Sequence, residues 1–286
     1  MAPAAHGEAI MGVCKGNRGN LLQHWVLCEL LHRLGQQEFK HLSLTCTHSM
    51  APWSVPERRG DDDTHYCRRV FNAARARVVA DQSSVFESAW HTISPNRGLP
   101  YPSSALFAPQ VWKQSLSLAL CEASVPVADE IDGWLGTREV RERVAHGALL
   151  RGDWRTWVQG PLFISPDADC LYVEMDPYRY DSRDRTVRKS TDPATVYPED
   201  LTLLAQAFGK EERPLILQLS SFSAQNGNNP DVIEASARRA LEPHRFVFRD
   251  RVTVDGQMVS LVFVRNITVS GGVLQPAFSA WLTGIV

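Results

Sequence analysis

The chain has 286 residues, 44% hydrophobic and 22% charged, a balance that suits a soluble globular protein with one large core, or one core with an inserted subdomain. A net charge of −2 and a pI near 6.5 give no global pull toward nucleic acid, so a polyanion would have to meet a local basic patch. The sequence contains no run of about 18 apolar residues, which excludes a transmembrane helix, and Met1-Ala2-Pro3-Ala4-Ala5-His6 lacks the basic and apolar regions of a signal peptide. A cytoplasmic location is expected. The cysteines (Cys14, Cys28, Cys46, Cys67, Cys121 and Cys170) are scattered without a C-x-x-C pair and read as reduced, mostly buried thiols.

The first predicted element is a helix over 21–34, where Leu22, Val26, Leu30 and Leu34 share a face. Asn17 or Asn20 can cap its start, and Gly35 fits its end. A strand follows over 41–46, then a loop over 47–56. Residues 58–63 form a charged loop, 66–86 show helical periodicity, and 94–104 are rich in turn formers. Residues 54–104 are therefore expected to form a mostly helical insertion within a single domain spanning 1–286.

From Ala105 a strand–helix alternation resumes. Its expected elements are a strand over 117–122, a helix over 127–135, a short strand over 143–146 and a helical turn over 154–158. A strand over 170–175, a helix over 198–208, a strand over 214–220 and a helix over 231–241 come next. Residues 245–254 and 258–265 then form a hairpin across Asp255-Gly256. This order predicts an α/β fold with a mostly parallel seven-stranded sheet and one antiparallel strand near its edge.

Chemistry is expected where the apolar run 170–174 ends in Met175-Asp176-Pro177-Tyr178. Ligands of open α/β sheets bind outside the carboxyl ends of the strands. An Asp-Pro-aromatic step there can offer a carboxylate, a carbonyl and an aromatic face to a planar ring bearing an amine.

Several short motifs occur in a fixed order: Gly16-Asn17-Arg18-Gly19-Asn20 with Gln23-His24; Thr47-His48; Tyr101-Pro102-Ser103-Ser104; Glu122; Gly152-Asp153; and Asp176-Pro177-Tyr178. Together, over residues 14–265, the chain resembles the RlmJ-like family, which methylates an adenine N6 of large-subunit (23S) ribosomal RNA. The resemblance implies a class I methyltransferase-like (Rossmann-like) fold with a C-terminal hairpin, and S-adenosylmethionine as cofactor. It places His24 and His48 near the methyl donor and Ser104 at the donor's methionine portion, although Ser104 equally suits a helix cap. Glu122 would accept the ribose hydroxyls, and Asp153 a hydrogen bond from the donor's adenine, with Trp154 or Trp157 stacked on that ring or in the core.

By the same resemblance Asp176 and the Pro177 carbonyl accept hydrogen bonds from the target amine, and Tyr178 or Tyr180 stacks on the base. Asp176 also borders the donor. Arg183, Arg185, Arg188 and Lys189 form a basic cluster that could track phosphates, tempered by Asp181 and Asp184. Residues 226–230 form a turn that could border the cleft.

The chain departs from the family pattern at four places. Gln23 stands for a lysine, Cys46 for an aspartate, Met50 and Pro52 for glycines in the turn after the first strand, and a second proline is missing after Pro177. The leading expectation is a methyltransferase for an exocyclic amine, adenine N6 in RNA more than in DNA, without metal or membrane and with a monomer favoured. The alternatives are a catalytically degenerate binding or partner protein with the same fold, and a methyltransferase of a small-molecule or protein amine.

Overall fold

The computed structural model describes residues 18–54, 61–80, 83–95, 101–178, 195–221, 229–256 and 258–284, apart from the side chains of 54 and 61–68. The strands are β1 (His41–Cys46), β2 (Trp53–Ser54), β3 (Tyr101–Pro102), β4 (Ser115–Glu122), β5 (His146–Arg151), β6 (Cys170–Met175), β7 (Leu215–Ser221), β8 (Val247–Val254) and β9 (Met258–Arg265). The helices are α1 (Arg18–Gly35), α2 (Asp61–Val79), α3 (Val85–Ile93), α4 (Ser104–Val111), α5 (Val125–Leu135), α6 (Arg138–Arg143), α7 (Pro198–Ala207), α8 (Pro230–Leu241) and α9 (Leu274–Thr283).

Seven strands form one sheet in the order β5-β4-β1-β6-β7-β9-β8. Only β9 runs against its neighbours β7 and β8, as expected of the class I methyltransferase-like fold. The chain doubles back at β1, which is flanked by β4 and β6, both parallel to it. That reversal opens the ligand crevice of such sheets. β6 and β7 are buried along their whole length, which explains their unbroken apolar runs. Alternate residues face opposite layers: Leu44, Leu118 and Tyr172 pack toward α1, while Leu171, Val173 and Leu217 pack toward α7 and α8.

α1 is the central helix of its layer. It contacts α3, α4, β8 and β9, and every residue from Gly19 to Cys28 is buried. A helix buried all round has no solvent face for polar residues. Asn20, Gln23 and His24 therefore need partners inside the protein or in a ligand.

Three elements differ from the sequence reading. The periodic stretch 66–86 is two helices, because Ser84 and Glu87 build a reciprocal capping box that starts α3 afresh. The strand expected over 143–146 lies at β5 instead, in register from Ser117↔His146 to Glu122↔Arg151. The charged residues before it form α6, which buries only Val140. The C-terminal helix α9 was not anticipated. Its Leu274, Phe278 and Trp281 share one face, and Phe278 meets the α1 residue Trp25 edge-on at a centroid distance of 5.1 Å.

Candidate active site

The crevice beside β1 is built from four elements. α1 supplies Gln23 and His24, and the β1 end and following turn supply Cys46, His48, Ser49 and Met50. The start of α4 supplies Ser103, Ser104 and Ala105, and the β6 end supplies Glu174 and Asp176. The turn after β1 is strapped to both neighbouring strands, Thr47 N–H donating to the Glu174 carbonyl (3.0 Å) and Ser49 N–H to that of Cys121 (2.8 Å). Ser103 N–H donates to the Pro52 carbonyl (3.0 Å), tying the turn to the β2–β3 ribbon. The space left amounts to about 10 Å³ for the centre of a water molecule, room for one. No nucleoside enters it without movement of its walls. Met50, where the family pattern has a glycine, is the most adaptable wall residue, with three rotatable side-chain bonds. Trp53 is 39% exposed and does not fill the space.

Glu174 and Asp176 stand two residues apart on one strand and both line this cavity. Among the described residues the wall contains neither lysine nor arginine. Gln23 Nε2 donates to Glu174 Oε1 (2.9 Å), and the Cys46 thiol donates to Glu174 Oε2 (3.2 Å) from the register position directly across the ladder. Ser104 also hydrogen-bonds Glu174, and Gln23 hydrogen-bonds Asp176. Two unit charges about 6–7 Å apart repel by about 2–3 kcal/mol at an effective dielectric near 20, in addition to the cost of burial. Burial, then the Glu174 charge, raises the Asp176 carboxyl well above the ordinary carboxylate range. Burial raises Glu174 too, while its three hydrogen bonds oppose the shift. The pair therefore holds a proton between them more readily than two ordinary carboxylates would.

Burial also pushes the His24 pKa down to about 3, so its ring is neutral. His24 Nδ1 meets the Tyr101 hydroxyl at 2.9 Å, and that hydroxyl donates to the Asn20 carbonyl at 3.4 Å. This arrangement assigns the ring proton to Nδ1 and leaves Nε2 as an acceptor. His24 Nε2, Gln23 Oε1 and Ser103 Oγ are all buried, line the cavity and lack a hydrogen-bond partner. Each such atom costs about 1–3 kcal/mol unless a ligand or water meets it. Three of them around one small space fit the polar end of a ligand. Ser103, the N-cap of α4, makes no side-chain cap bond, and the Ser104 hydroxyl goes to Glu174.

The structure brings His24, His48, Ser104 and Asp176 together around one space and places the other expected residues elsewhere. Glu122 ends β4 two residues beyond the cavity-lining Leu120, is half-buried, and accepts the Ser124 N–H (2.7 Å). Gly152, at φ +105°, turns the chain in a left-handed conformation that suits glycine. Asp153 then caps a short turn over Trp154–Thr156. Its carboxylate is also held by Arg155, which bonds Asp200 (2.6 and 2.7 Å) and the Thr195 carbonyl as well. Trp154 is buried in the core on the far side of the sheet, against Phe163.

Tyr178 corrects the expectation of a base-stacking tyrosine. It is fully buried in that same far core, with its hydroxyl 2.9 Å from Ser236 Oγ and its N–H on the Ser220 carbonyl. That backbone bond and the bridge to Val196 direct its ring away from the cavity. The Pro177 carbonyl already accepts the Val196 N–H at 3.0 Å. Tyr180, Arg183, Arg185, Arg188 and Lys189 lie outside the described residues.

Sequence reasoning missed Glu174, Gln23 and Ser103 as a set. An acid within a strand buried on both faces was a visible signal, since such a group needs a dedicated partner. Among the described residues no cluster of three His, Cys, Asp or Glu side chains could hold a metal ion. No described helix is long and apolar enough to cross a membrane. The cysteines whose side chains are described, Cys28, Cys46, Cys121 and Cys170, are free and buried.

No protein-family model matches the chain, and no curated protein does. Among solved structures it is similar to protein LPL1258 from Legionella pneumophila str. Philadelphia 1, a DUF519 protein, at 16% identity and a TM-score of 0.57, covering 94% of this chain and 91% of that one. Cofactor-bound Rv0187 from MTB aligns at 11% identity and a TM-score of 0.40, covering 86% and 80% of the two chains. Aeropyrum pernix fibrillarin, described with natively bound S-adenosyl-L-methionine, aligns at 11% and 0.35, covering 56% and 60%. The likeness is one of fold and rests on the first of these three. With the strand order, it makes the chain a class I methyltransferase-like α/β protein.

Proposed function

We propose that the protein transfers a methyl group from S-adenosylmethionine to an exocyclic amine, adenine N6 in RNA being the preferred acceptor and DNA the next. The observation that carries this reading is the cavity at the ends of β1 and β6, where Asp176 faces a space bordered by three unmatched buried polar atoms. Bound there, the cofactor would supply an electrophilic methyl on a sulfonium. His24, His48, Ser103 and Ser104 would hold its polar end, with Glu122 and Asp153 further along the same sheet edge for its adenosyl portion. Asp176 would accept an N–H of the amine and orient the nitrogen lone pair. No strong base need act first, because that proton becomes acidic as the N–C bond forms. The basic cluster 183–189 would meet phosphates.

Calorimetric titration with S-adenosylmethionine and S-adenosylhomocysteine tests the first half, and absence of binding by folded protein would sink it. Tritium transfer to RNA, DNA and small amines in parallel tests the second. Methylation confined to small amines or proteins would replace the nucleic-acid acceptor. One observation favours a second reading, a non-catalytic binding protein: Met50 stands in the cavity wall, and the space is the size of one water. A folded protein that binds RNA but neither cofactor form would bear that reading out.

A further inference from the structure

We propose that Gln23 supplies the second acceptor for the target amine, and that Glu174 is the positioning residue that aims it. The inference rests on methyl transfer to an amine as read above. A primary amine presents two N–H bonds, and fixing its lone pair toward the methyl donor calls for an acceptor on each. Asp176 offers one. The Pro177 carbonyl, the other acceptor expected from the sequence, already takes the Val196 N–H at 3.0 Å.

Of the three bare polar atoms on the cavity wall, the Gln23 oxygen belongs to the side chain that also hydrogen-bonds both acids, and those bonds set its orientation. Nε2 donates to Glu174 Oε1 at 2.9 Å, and the amide also hydrogen-bonds Asp176. Flipping it would set its oxygen against Glu174 Oε1 in place of the N–H which that oxygen now accepts. Glu174 is held in turn by the Cys46 thiol at 3.2 Å and by Ser104, and no cation among the described wall residues competes for it. The donor end of Gln23 is thus committed to the acids. Its acceptor end is left bare, at a position that is 3% exposed and borders the same space as Asp176. A buried acceptor without a partner is destabilising in the free protein and is relieved by a ligand N–H. Glu174 touches no ligand; it acts through the amide.

Sinefungin carries an amine where S-adenosylmethionine carries its reactive methyl, whereas S-adenosylhomocysteine carries nothing there. Calorimetric titration of wild type with both is expected to show sinefungin binding about tenfold tighter, the worth of one good hydrogen bond. Gln23→Met should erase that ratio, whatever it does to the affinity for S-adenosylhomocysteine itself. Glu174→Gln keeps an oxygen for Gln23 Nε2 and should keep the ratio; Glu174→Met frees the amide and should lose it. If Gln23→Met does not fold, Glu174→Met carries the same expectation. Equal affinities in wild type, or a ratio that survives Gln23→Met in folded protein, would overturn the inference alone. Failure of wild type to bind either ligand would overturn the methyl-donor reading, and the inference with it.

Discussion

The ends of β1 and β6 and the ends of β4 and β5 lie along one edge of the same sheet, but they treat their acids in opposite ways. At β6, Glu174 and Asp176 are buried beside a small cavity with no cation among its described wall residues, and three further polar atoms there go unmatched. At β4 and β5, Arg155 clamps Asp153 to Asp200, and Arg151 pairs with Asp129 and Asp132. The first region is costly to fold and is satisfied only by a ligand or a water that enters the cavity. The second is satisfied by the protein itself, as ordinary stabilising ion pairs are. Chemistry is therefore expected at the β6 end, while the β4–β5 end serves stability first and contributes at most affinity.

The sharpest way to break this contrast is to remove an acid from each side. Asp176→Ala should lower methyl transfer by about 10²–10³-fold, the usual loss when a group aimed at the reacting centre is deleted. Affinity for S-adenosylmethionine, read by calorimetry, should stay within about threefold of wild type. A comparable fall in both would mean that Asp176 serves mainly to hold the donor. Arg155→Met should do the reverse. It removes the cation shared by Asp153 and Asp200 and one donor from the Thr195 carbonyl, and should cost about 2–3 kcal/mol in urea unfolding. If Arg155→Met instead left stability intact, the β4–β5 acids would have to be counted as functional too.

The same contrast marks how much was legible in the sequence. The strand order was readable because apolar runs and helical periods alternate cleanly after Ala105, and Asp255-Gly256 announces the final hairpin. Asp176 and His24 were legible because each sits in a short motif at an element end, and the structure brings both to one cavity. Tyr178 was misplaced because a motif gives a residue's order but not the side of the sheet it faces. Gln23 and Glu174 were seen only as departures or strand residues. Their pairing joins positions 151 apart in sequence, and no local periodicity reports such a contact. The split between α2 and α3 was present in Ser84-Val85-Phe86-Glu87, a capping-box pattern overridden by the apolar period on either side.

A pH series sharpens the β6 side. Both carboxyls are raised on folding, so the native state binds more protons than the unfolded chain, and stability falls as pH climbs from about 4 toward the raised values. Among the neighbouring titratable groups, burial keeps His24 neutral and raises the thiols of Cys28 and Cys46 and the Tyr172 hydroxyl, so these four gain no charge in that window; His48 also lines the cavity. Glu174→Gln should therefore raise the melting temperature by about 3–5 °C at pH 8 and by little near pH 4. Glu211, held down to about 2 by Arg213, has the opposite sign, with stability lost as pH falls from 4.5 toward that value, so its effect lies below this window. A melting-temperature gain that did not depend on pH would refute the shared-proton picture.

The smallest expected effect concerns Met50, a wall residue of the cavity on the β6 side. Asn20 Nδ2 approaches its sulfur at 3.9 Å, a weak contact, and the side chain is only half-buried. Met50→Ala removes flexible atoms from the mouth of a space that holds one water, while the straps at Thr47 and Ser49 keep the turn in place. Donor binding should tighten by about fivefold, close to 1 kcal/mol, at a stability cost of about the same size. If the affinity stays unchanged, the cavity opens by another route, and the departure at Met50 matters less than the absence of a cation beside Glu174.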